Sequence, residues 1–239
     1  MEDALDNLRV VLVATRNPLN LGAAARAMSN FGFAHLRVVN PYELAFREAR
    51  SAVGASAVLI HATEYKTVGD AVADCTLVIG TTAARHRDLH HPLRRLECGA
   101  RLIRKRLASS RVGLLFGSEK VGLSNEDLSY CNWLMRIPTR EEHPSMNLGQ
   151  AVAVCLYELL RDGEIASDTE KPLSAQAGDC ERITSVLLDA LQASGYTTSN
   201  AAATTEDKLR RFVRRFNLNP ADAELLLGML RQIVWKMRH

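Results

Sequence analysis

The stretch Val112-Gly-Leu-Leu-Phe-Gly-Ser-Glu-Lys-Val-Gly-Leu123 joins an apolar run to a turn with two glycines. The run at residues 112–116 carries no polar side chain, which predicts a strand covered on both faces, as in a parallel sheet. The spacing from Gly117 to Gly122 is similar to that of a phosphate-binding loop, but Leu123 stands where such a loop needs its lysine. The stretch therefore predicts an α/β fold with a turn that lets backbone groups approach a ligand, and it argues against a nucleoside triphosphatase.

Similar runs alternate with helix-length segments along the first two thirds of the chain. The predicted strands are residues 9–13, 36–39, 57–60, 76–79, 112–116 and 133–137. The predicted helices cover about residues 21–31, 43–53, 67–73 and 95–108. Because strands and helices alternate, the sequence predicts an α/β domain with a mostly parallel sheet and helices on both faces.

The rest of the chain has helical periodicity with one interruption. Residues 146–161 are nearly all apolar, which predicts a helix buried on more than one side. Residues 162–179 have few large apolar side chains and several Gly, Ser and Pro, so we predict a linker there. We therefore expect an α/β domain at residues 1–161 and a small all-α C-terminal domain at residues 180–239.

Helix-terminating signals divide this C-terminal domain into three helices. Gly195 is placed to end the first helix, and Thr204-Thr-Glu-Asp207 offers a capping box for the second. Asn219-Pro220 supplies an N-cap and a first-turn proline for the third helix.

The composition limits the class of protein. The chain has 239 residues and is 47% hydrophobic, and the sequence shows neither an apolar run near membrane length nor a signal peptide. Its five cysteines are widely spaced without a C-x-x-C pair, which argues against a disulfide framework and a zinc site. We predict a cytoplasmic protein with buried thiols and no metal.

Positive charge is concentrated in two stretches, although the net charge is only +3. Residues 85–106 hold eight Arg or Lys against two acids, and residues 208–215 form a second basic cluster. Such clusters neutralise phosphates and give sequence-independent affinity for nucleic acid. A solvated helix face is an equally open interpretation of either cluster alone.

Two more stretches follow predicted strands. Asn17-Pro-Leu-Asn-Leu-Gly-Ala-Ala-Ala-Arg26 begins a helix of small residues, and Ile137-Pro-Thr with Ser145-Met-Asn-Leu148 leads into the apolar helix. Each has a purely structural interpretation, with Arg26 in solvent, Ser145 or Asn147 as an N-cap, and Glu119 of the opening stretch as a loop acid. Since parallel strands end at one edge of a sheet, we expect the three stretches to meet there.

Taken in order, the three stretches resemble motifs 1, 2 and 3 of the SpoU branch of the SPOUT RNA methyltransferases, with Met146 in place of the usual leucine. The resemblance covers residues 8–161 and is greatest to the TrmJ type of tRNA 2'-O-methyltransferase, whose linker and C-terminal domain the chain also matches in order and size. It implies a trefoil knot, S-adenosylmethionine as cofactor, a homodimer whose two subunits complete one site, and tRNA as partner. The implied reaction is methylation of a ribose in the anticodon loop, at position 32.

The resemblance also assigns residues to the site. The reacting atoms are expected among Asn20, Arg26, Glu119, Ser145 and Asn147. The cofactor is expected among Thr81, Thr82, Ala83, Gly117, Ile137, Ser145, Met146 and Asn147. Related enzymes have an arginine assigned as the base where Arg26 stands, but a guanidinium stays protonated, so we expect Arg26 to orient the substrate and stabilise developing alkoxide charge.

Contacts to RNA phosphates are expected from both basic stretches. The candidates are Arg85, Arg87, Arg94, Arg95, Lys208, Arg210, Arg211, Arg214 and Arg215. Two other functions stay open at this point: methylation of ribosomal RNA, and RNA binding without catalysis by a protein that has kept the fold.

Overall fold

A seven-stranded sheet organises the computed structural model, which describes residues 2–51, 56–83, 90–161, 174–197 and 202–238. The strands are β1 (Leu8–Val13), β2 (Leu36–Val39), β3 (Thr63–Tyr65), β4 (Leu77–Thr81), β5 (Leu93–Arg95), β6 (Val112–Phe116) and β7 (Trp133–Arg136). Their order is β3-β2-β1-β6-β4-β7-β5, and every neighbouring pair is parallel. The prediction of a parallel α/β sheet is thus confirmed; the trefoil knot stays a prediction.

Helices cover both faces of the sheet, as predicted. Those up to the end of the apolar segment are α1 (Glu2–Leu5), α2 (Pro18–Asn30), α3 (Glu43–Ser51), α4 (Ala57–Ile60), α5 (Val68–Val72), α6 (Leu96–Leu107), α7 (Asn125–Ser129) and α8 (Leu148–Leu160). One core contains α2, α6 and α8 against Leu12 and Phe116. The other contains α5 and α7 against Val11 and Leu115. Successive residues of a strand therefore enter different cores, which explains why the central strands are apolar throughout.

The sequence-based assignment of residues 57–60 to a strand is wrong. These residues form the short helix α4, because Ser56 caps it by accepting a hydrogen bond from the Leu59 backbone N–H at 3.3 Å. A four-residue apolar run fits either structure, and the cap decides between them. Two edge strands, β3 and β5, were not predicted, since their side chains are largely exposed and form no apolar run.

Four adjacent strands in the centre of the sheet carry the predicted site. In spatial order these are β1, β6, β4 and β7, and all run in the same direction. The three motifs follow β1, β6 and β7, and Thr82 and Ala83 follow β4. The expectation that these segments leave one edge of the sheet is therefore met, and this is the edge where open α/β folds place ligands.

Among the described residues after the sheet domain there are three helices: α9 (Ala177–Ala193), α10 (Ala202–Arg215) and α11 (Pro220–Arg238). Gly195 follows α9 with φ of +76°, and Asn219 caps α11 by accepting from the Asp222 backbone N–H at 2.8 Å, both as predicted. The capping box at residues 204–207 was predicted wrongly, because those residues lie inside α10. The domain division itself stays a prediction.

The end of the predicted linker is structured. Residues 162–173 lie outside the described residues, but α9 already begins at Ala177, within the range assigned to the linker. The backbone N–H groups of Ala177 and Gly178 donate to the carbonyls of Cys75 and Ala73 at 2.7 and 2.9 Å. The first turn of α9 is therefore fastened directly to the sheet domain.

Arg210 holds the helical domain against the sheet domain. Its side chain is only 4% exposed and bonds Glu181 at 2.8 Å, Glu206 at 2.5 Å and Asp207 at 3.1 Å. The guanidinium also donates to the Ser129 hydroxyl at 3.0 Å and lies 4.2 Å from the centre of the Tyr130 ring. Burial raises the pKa of Tyr130 to about 12, so this ring stays neutral beside the cation.

The assignment of Arg210 and Arg214 to RNA binding therefore needs correction. Arg214 is also buried and lies 6.0 Å from the centre of the same Tyr130 ring. Helix periodicity explains the error: residues four apart share a helix face, and this face of α10 is turned toward the protein.

Three of the five thiols are buried, at Cys75, Cys131 and Cys155, and burial raises the pKa of each to about 12. Cys98 is exposed, contrary to the prediction of buried thiols. No cluster of three potential metal ligands occurs among the described residues. Within the same residues, no helix combines the length and hydropathy needed to cross a membrane.

Replacing Arg210 by alanine is expected to loosen the helical domain. Three carboxylates would then face one another without their shared cation, and loss of one partner from a buried ion pair typically costs about 3 kcal/mol. Urea unfolding measures the free energy, and hydrogen exchange in α9 and α10 should accelerate. Arg215→Ala is the control, since that exposed side chain should change stability by less than about 0.5 kcal/mol. Equal stability of both variants would contradict the docking role of Arg210.

Candidate active site

A chain of hydrogen bonds joins all three motifs. The Asn20 side-chain NH2 donates to Oε1 of Glu119 at 2.8 Å, and the Asn20 side-chain oxygen accepts from the Asn147 NH2 at 2.9 Å. The Asn147 oxygen in turn accepts from the backbone N–H groups of Gly149 and Gln150 at 3.0 and 3.4 Å. We call Glu119, Asn20 and Asn147 the relay.

Both ends of the relay fix the direction of its hydrogen bonds. An ionised carboxylate only accepts hydrogen bonds, so Asn20 must turn its NH2 toward Glu119. Backbone N–H groups only donate, so Asn147 must turn its oxygen toward α8 and its NH2 toward Asn20. Flipping either amide would place two acceptors or two donors against each other. The relay therefore has one orientation, and Asn20, only 9% exposed, is held in it.

Glu119 is held as a carboxylate. Burial alone raises its pKa, but the hydrogen bond from Asn20 and those from the backbone N–H groups of Arg16 and Asn17 outweigh burial. The pKa therefore lies below its ordinary value. A carboxylate with a lowered pKa is a weak base, so the geometry suits Glu119 to orient Asn20 rather than to remove a proton.

Local sequence explains how the first motif reaches this position. Asn17 caps α2 by accepting from the Leu19 backbone N–H at 2.9 Å, and Pro18 occupies the first helical position, where its missing N–H is no loss. The backbone N–H groups of Arg16 and Asn17 each lie 3.4 Å from a Glu119 carboxylate oxygen. The sequence carried no signal for this backbone contribution, because main-chain donors have no residue signature.

The second motif turns back on itself. Gly122 has φ of +70°, and its N–H donates to the Ser118 carbonyl at 2.8 Å. A β-carbon at Gly117 would lie 2.0 Å from the Gly122 carbonyl carbon, so only glycine fits there. Ser124 and Asp127 then form the predicted capping box of α7. The closed turn carries Glu119 toward α2.

The third motif depends on close contact between α2 and α8. A β-carbon at Gly149 would lie 2.6 Å from the β-carbon of Ala23, so the helices can approach this closely only with glycine at that position. This approach brings the N-cap residue Asn147 within hydrogen-bond distance of Asn20. The cap interpretation of Asn147 is therefore confirmed, and the same side chain also bonds Asn20; its place in the active site stays a prediction.

The predicted cofactor residues lie around the ends of β4, β6 and β7. Thr81 donates its hydroxyl to the Leu115 carbonyl at 2.8 Å, and the Thr82 backbone N–H donates to the Met135 carbonyl at 3.0 Å. The other positions are exposed or half-buried and lie beside these strand ends: Ala83, Gly117, Ile137, Ser145 and Met146. The set therefore offers hydroxyl and main-chain groups together with two half-buried apolar side chains, Ile137 and Met146.

Arg26 lies on a different face of α2 from Asn20. Six residues separate it from Asn20, which corresponds to about 240° around an α-helix. Asn20 is buried and Arg26 is exposed, on the face that also presents Leu19, which is 78% exposed.

The two basic stretches approach each other. His91, just before β5, has its pKa lowered to about 4 by burial and then by the positive charge of Arg211, His90, Arg215 and Arg214. Arg94 lies 5.5 Å from the centre of the Trp133 ring, and Arg95 pairs with Glu97 at 2.6 Å. Arg85 and Arg87 lie outside the described residues. His91 of the first stretch therefore lies close to the arginines of α10 in the second stretch.

Two substitutions separate the capping role of Asn147 from its relay role. Asn147→Ala removes both the cap and the donor to Asn20, so it should lower stability by about 1 kcal/mol and also impair the methyl transfer implied by the motifs. Asn147→Asp keeps the cap acceptor, which suits a helix N-terminus, but turns a carboxylate toward the Asn20 oxygen. The Asn147→Asp variant should keep the free energy of unfolding within about 0.5 kcal/mol of wild type and lower the initial rate of methyl transfer at least about tenfold. A wild-type rate for Asn147→Asp would remove the relay from the reaction.

Comparison with known proteins identifies the family. The SpoU rRNA Methylase family profile matches residues 7–157. The tRNA (cytidine/uridine-2'-O-)-methyltransferase TrmJ of Sodalis glossinidius is 35% identical over 236 residues, covering 96% of this chain and 92% of the relative. The protein of the same name from Escherichia coli K12 is 36% identical over 238 residues, covering 96% of each chain.

A solved structure agrees with these relatives. TrmJ from Z. mobilis ZM4 superposes with a TM-score of 0.81 at 31% identity, covering 94% of this chain and 98% of that chain. The resemblance inferred from the three motifs is therefore confirmed, and the chain belongs to the SpoU methylase family.

Proposed function

We propose that this protein transfers a methyl group from S-adenosylmethionine to a ribose 2'-hydroxyl of tRNA. The observation that carries the proposal is the relay, since one oriented amide connects all three motifs at the carboxyl edge of the sheet. The full-length relatives named as tRNA 2'-O-methyltransferases support tRNA over ribosomal RNA.

The residues of the predicted cofactor set suit this cofactor. Ile137 and Met146 offer partly apolar surface for an adenine ring, and the loops after β4 and β6 offer main-chain groups for its polar edge. When bound, the cofactor supplies an electrophilic methyl group. Thr81, Thr82, Ala83, Gly117, Ser145 and Asn147 complete the proposed binding set.

Positioning and charge account for the chemistry that the protein supplies. A ribose hydroxyl is a weak nucleophile, and methyl transfer needs its three atoms nearly in line, so fixing the hydroxyl lowers the barrier. We propose that the relay provides a fixed surface against which the ribose hydroxyl is positioned, because the hydrogen bonds of Asn20 prevent its amide from rotating. Glu119 is a poor base for the reason given above, and Arg26 is a permanent cation that stabilises negative charge on the ribose oxygen.

A homodimer would bring Arg26 into use. In one protomer the exposed face of α2 presents Leu19 and Arg26, and the neighbouring α8 presents Tyr157, which is 54% exposed. Exposed apolar side chains beside a functional cation are typical of an interface that a second subunit covers. We propose that each subunit contributes its Arg26 to the relay of the other.

The tRNA substrate would be bound by a surface made of residues from both basic stretches. Its described members are Arg94, Arg95, Lys208, Arg211 and Arg215. Recognition of a folded RNA by shape and backbone suits a set of arginines that spans two domains. We propose the anticodon-loop ribose at position 32 as the target; the cytoplasmic location stays a prediction.

Mapping ribose methylation decides the function. Purified protein and cofactor are incubated with bulk tRNA in one reaction and with ribosomal RNA in another. The modified positions are then located by primer extension and mass spectrometry. Methylation at position 32 of tRNA is the expected result. Methylation of ribosomal RNA alone would select the alternative substrate, and cofactor binding without any product would overturn the proposed catalysis.

Arg26→Lys tests whether a planar guanidinium is required. Lysine keeps the charge but cannot contact two oxygens as a fork, so kcat should fall at least about tenfold, while cofactor affinity measured by calorimetry should not change. Arg231→Lys, an exposed arginine of α11, is the matched control. A wild-type kcat for Arg26→Lys would show that charge alone suffices.

Substitution of half-buried Arg211 and exposed Arg215 of α10 tests the RNA surface. The double variant Arg211→Gln and Arg215→Gln should bind tRNA more weakly, and the slope of log affinity against log salt should become shallower by about one for each lost phosphate contact. Cofactor affinity should stay the same. An unchanged slope would mean that α10 does not contact the RNA backbone.

A further inference from the structure

A charged cavity lies at the amino edge of the sheet, opposite the edge that carries the relay. It has a volume of about 440 Å³ and lies where β1, β2, β3 and β6 begin. The relay lies where such strands end, so the cavity shares no lining residue with the proposed active site. We define this amino-edge cavity by Arg9, Arg37, Tyr65, Asp74 and Arg111.

Cations outnumber the acid in these walls. Arg37 forms two hydrogen bonds to Asp74 at 2.5 and 2.8 Å, and Arg111 reaches the same carboxylate at 3.2 Å. Although burial raises it, the pKa of Asp74 falls to about 2 because of these cations, so the acid is ionised at neutral pH. Three guanidinium groups and one carboxylate therefore line the cavity, which leaves an excess of two positive charges among these four residues.

Arg9 is the least compensated of the three. It lies on the central strand β1 and is only 7% exposed, yet its hydrogen bonds go to the main-chain carbonyls of Asp6 and Leu8. Burial and then the charge of Arg37 lower the pKa of Arg9, and Asp74 only partly opposes them. A buried charge is stable only when an opposite charge or sufficient hydrogen bonds balance it.

The cavity is larger than an inorganic anion requires. Its volume falls in the range of small-molecule sites, and its walls combine arginines with the Tyr65 ring, which Arg37 approaches to 5.6 Å. Arginines bind phosphate oxygens in pairs through their planar donors. The Tyr65 ring beside these arginines suits the base and sugar that make up the rest of a nucleotide.

We propose that the amino-edge cavity binds a nucleotide through its phosphate group, with Arg9, Arg37 and Arg111 as the cationic partners. The phosphate belongs either to a free mononucleotide or to an RNA chain. Either source would neutralise the excess charge. This site does not depend on the proposed methyl transfer, since no residue is shared.

Calorimetry with uridine monophosphate tests the site in the full-length protein. Wild-type protein and two variants are compared: Arg111→Gln, whose side chain is half exposed and therefore tolerant of replacement, and Arg231→Gln as control. Arg111→Gln should weaken binding about tenfold, the loss expected for a charge-assisted hydrogen bond, and the control should bind like wild type. Equal affinity of Arg111→Gln and wild type would overturn the proposal.

A measurement on the unaltered protein guards against a folding defect of the variant. Hydrogen exchange with and without uridine monophosphate should show protection at residues 35–37 and 111–113; protection elsewhere alone would also overturn the proposal. Filter binding with tRNA then separates the two sources. Weaker tRNA binding by Arg111→Gln assigns the phosphate to RNA, and unchanged tRNA binding assigns it to a free nucleotide.

Discussion

The hydrogen bonds of Asn20 are the constraint on which the site depends. One side of its amide meets a carboxylate and the other meets an amide that is itself fixed by a helix N-terminus. A primary amide donates through its nitrogen and accepts through its oxygen, and both atoms are held in one plane. The hydrogen bonds from Glu119 to α8 can therefore be oriented in one way only. They join three segments that are far apart in sequence.

Packing of the backbone makes this arrangement possible. Gly149 and Ala23 let α2 and α8 approach closely enough for the Asn20 and Asn147 amides to meet, and Gly117 lets the second motif close into its turn. The small residues of the first motif thus contribute to the site by allowing the two helices to pack closely, and not by contacting the reacting groups. Larger side chains would separate the helices while leaving every polar residue in place.

The helical domain shows how one helix divides charge between structure and surface. Along α10, Arg210 and Arg214 are buried against Tyr130, whereas Lys208 and Arg215 are exposed. The buried arginines fix the orientation of the helix, and that orientation directs Arg211 and Arg215 toward His91. A charge cluster that looks uniform in sequence therefore has two separate roles.

The sequence by itself determined the parallel α/β class, the position of most helices and strands, and the family, because apolar runs and short motifs are local properties. It also determined that Asn20, Glu119 and Asn147 belong to one edge, since parallel strands end together. Only the tertiary structure decided which polar groups meet. It placed Arg26 on a different face of α2 from Asn20, buried Arg210 and Arg214, and made residues 57–60 a helix. The physical reason is that burial, ion pairing and helix face depend on neighbours distant in the chain, which no local pattern specifies.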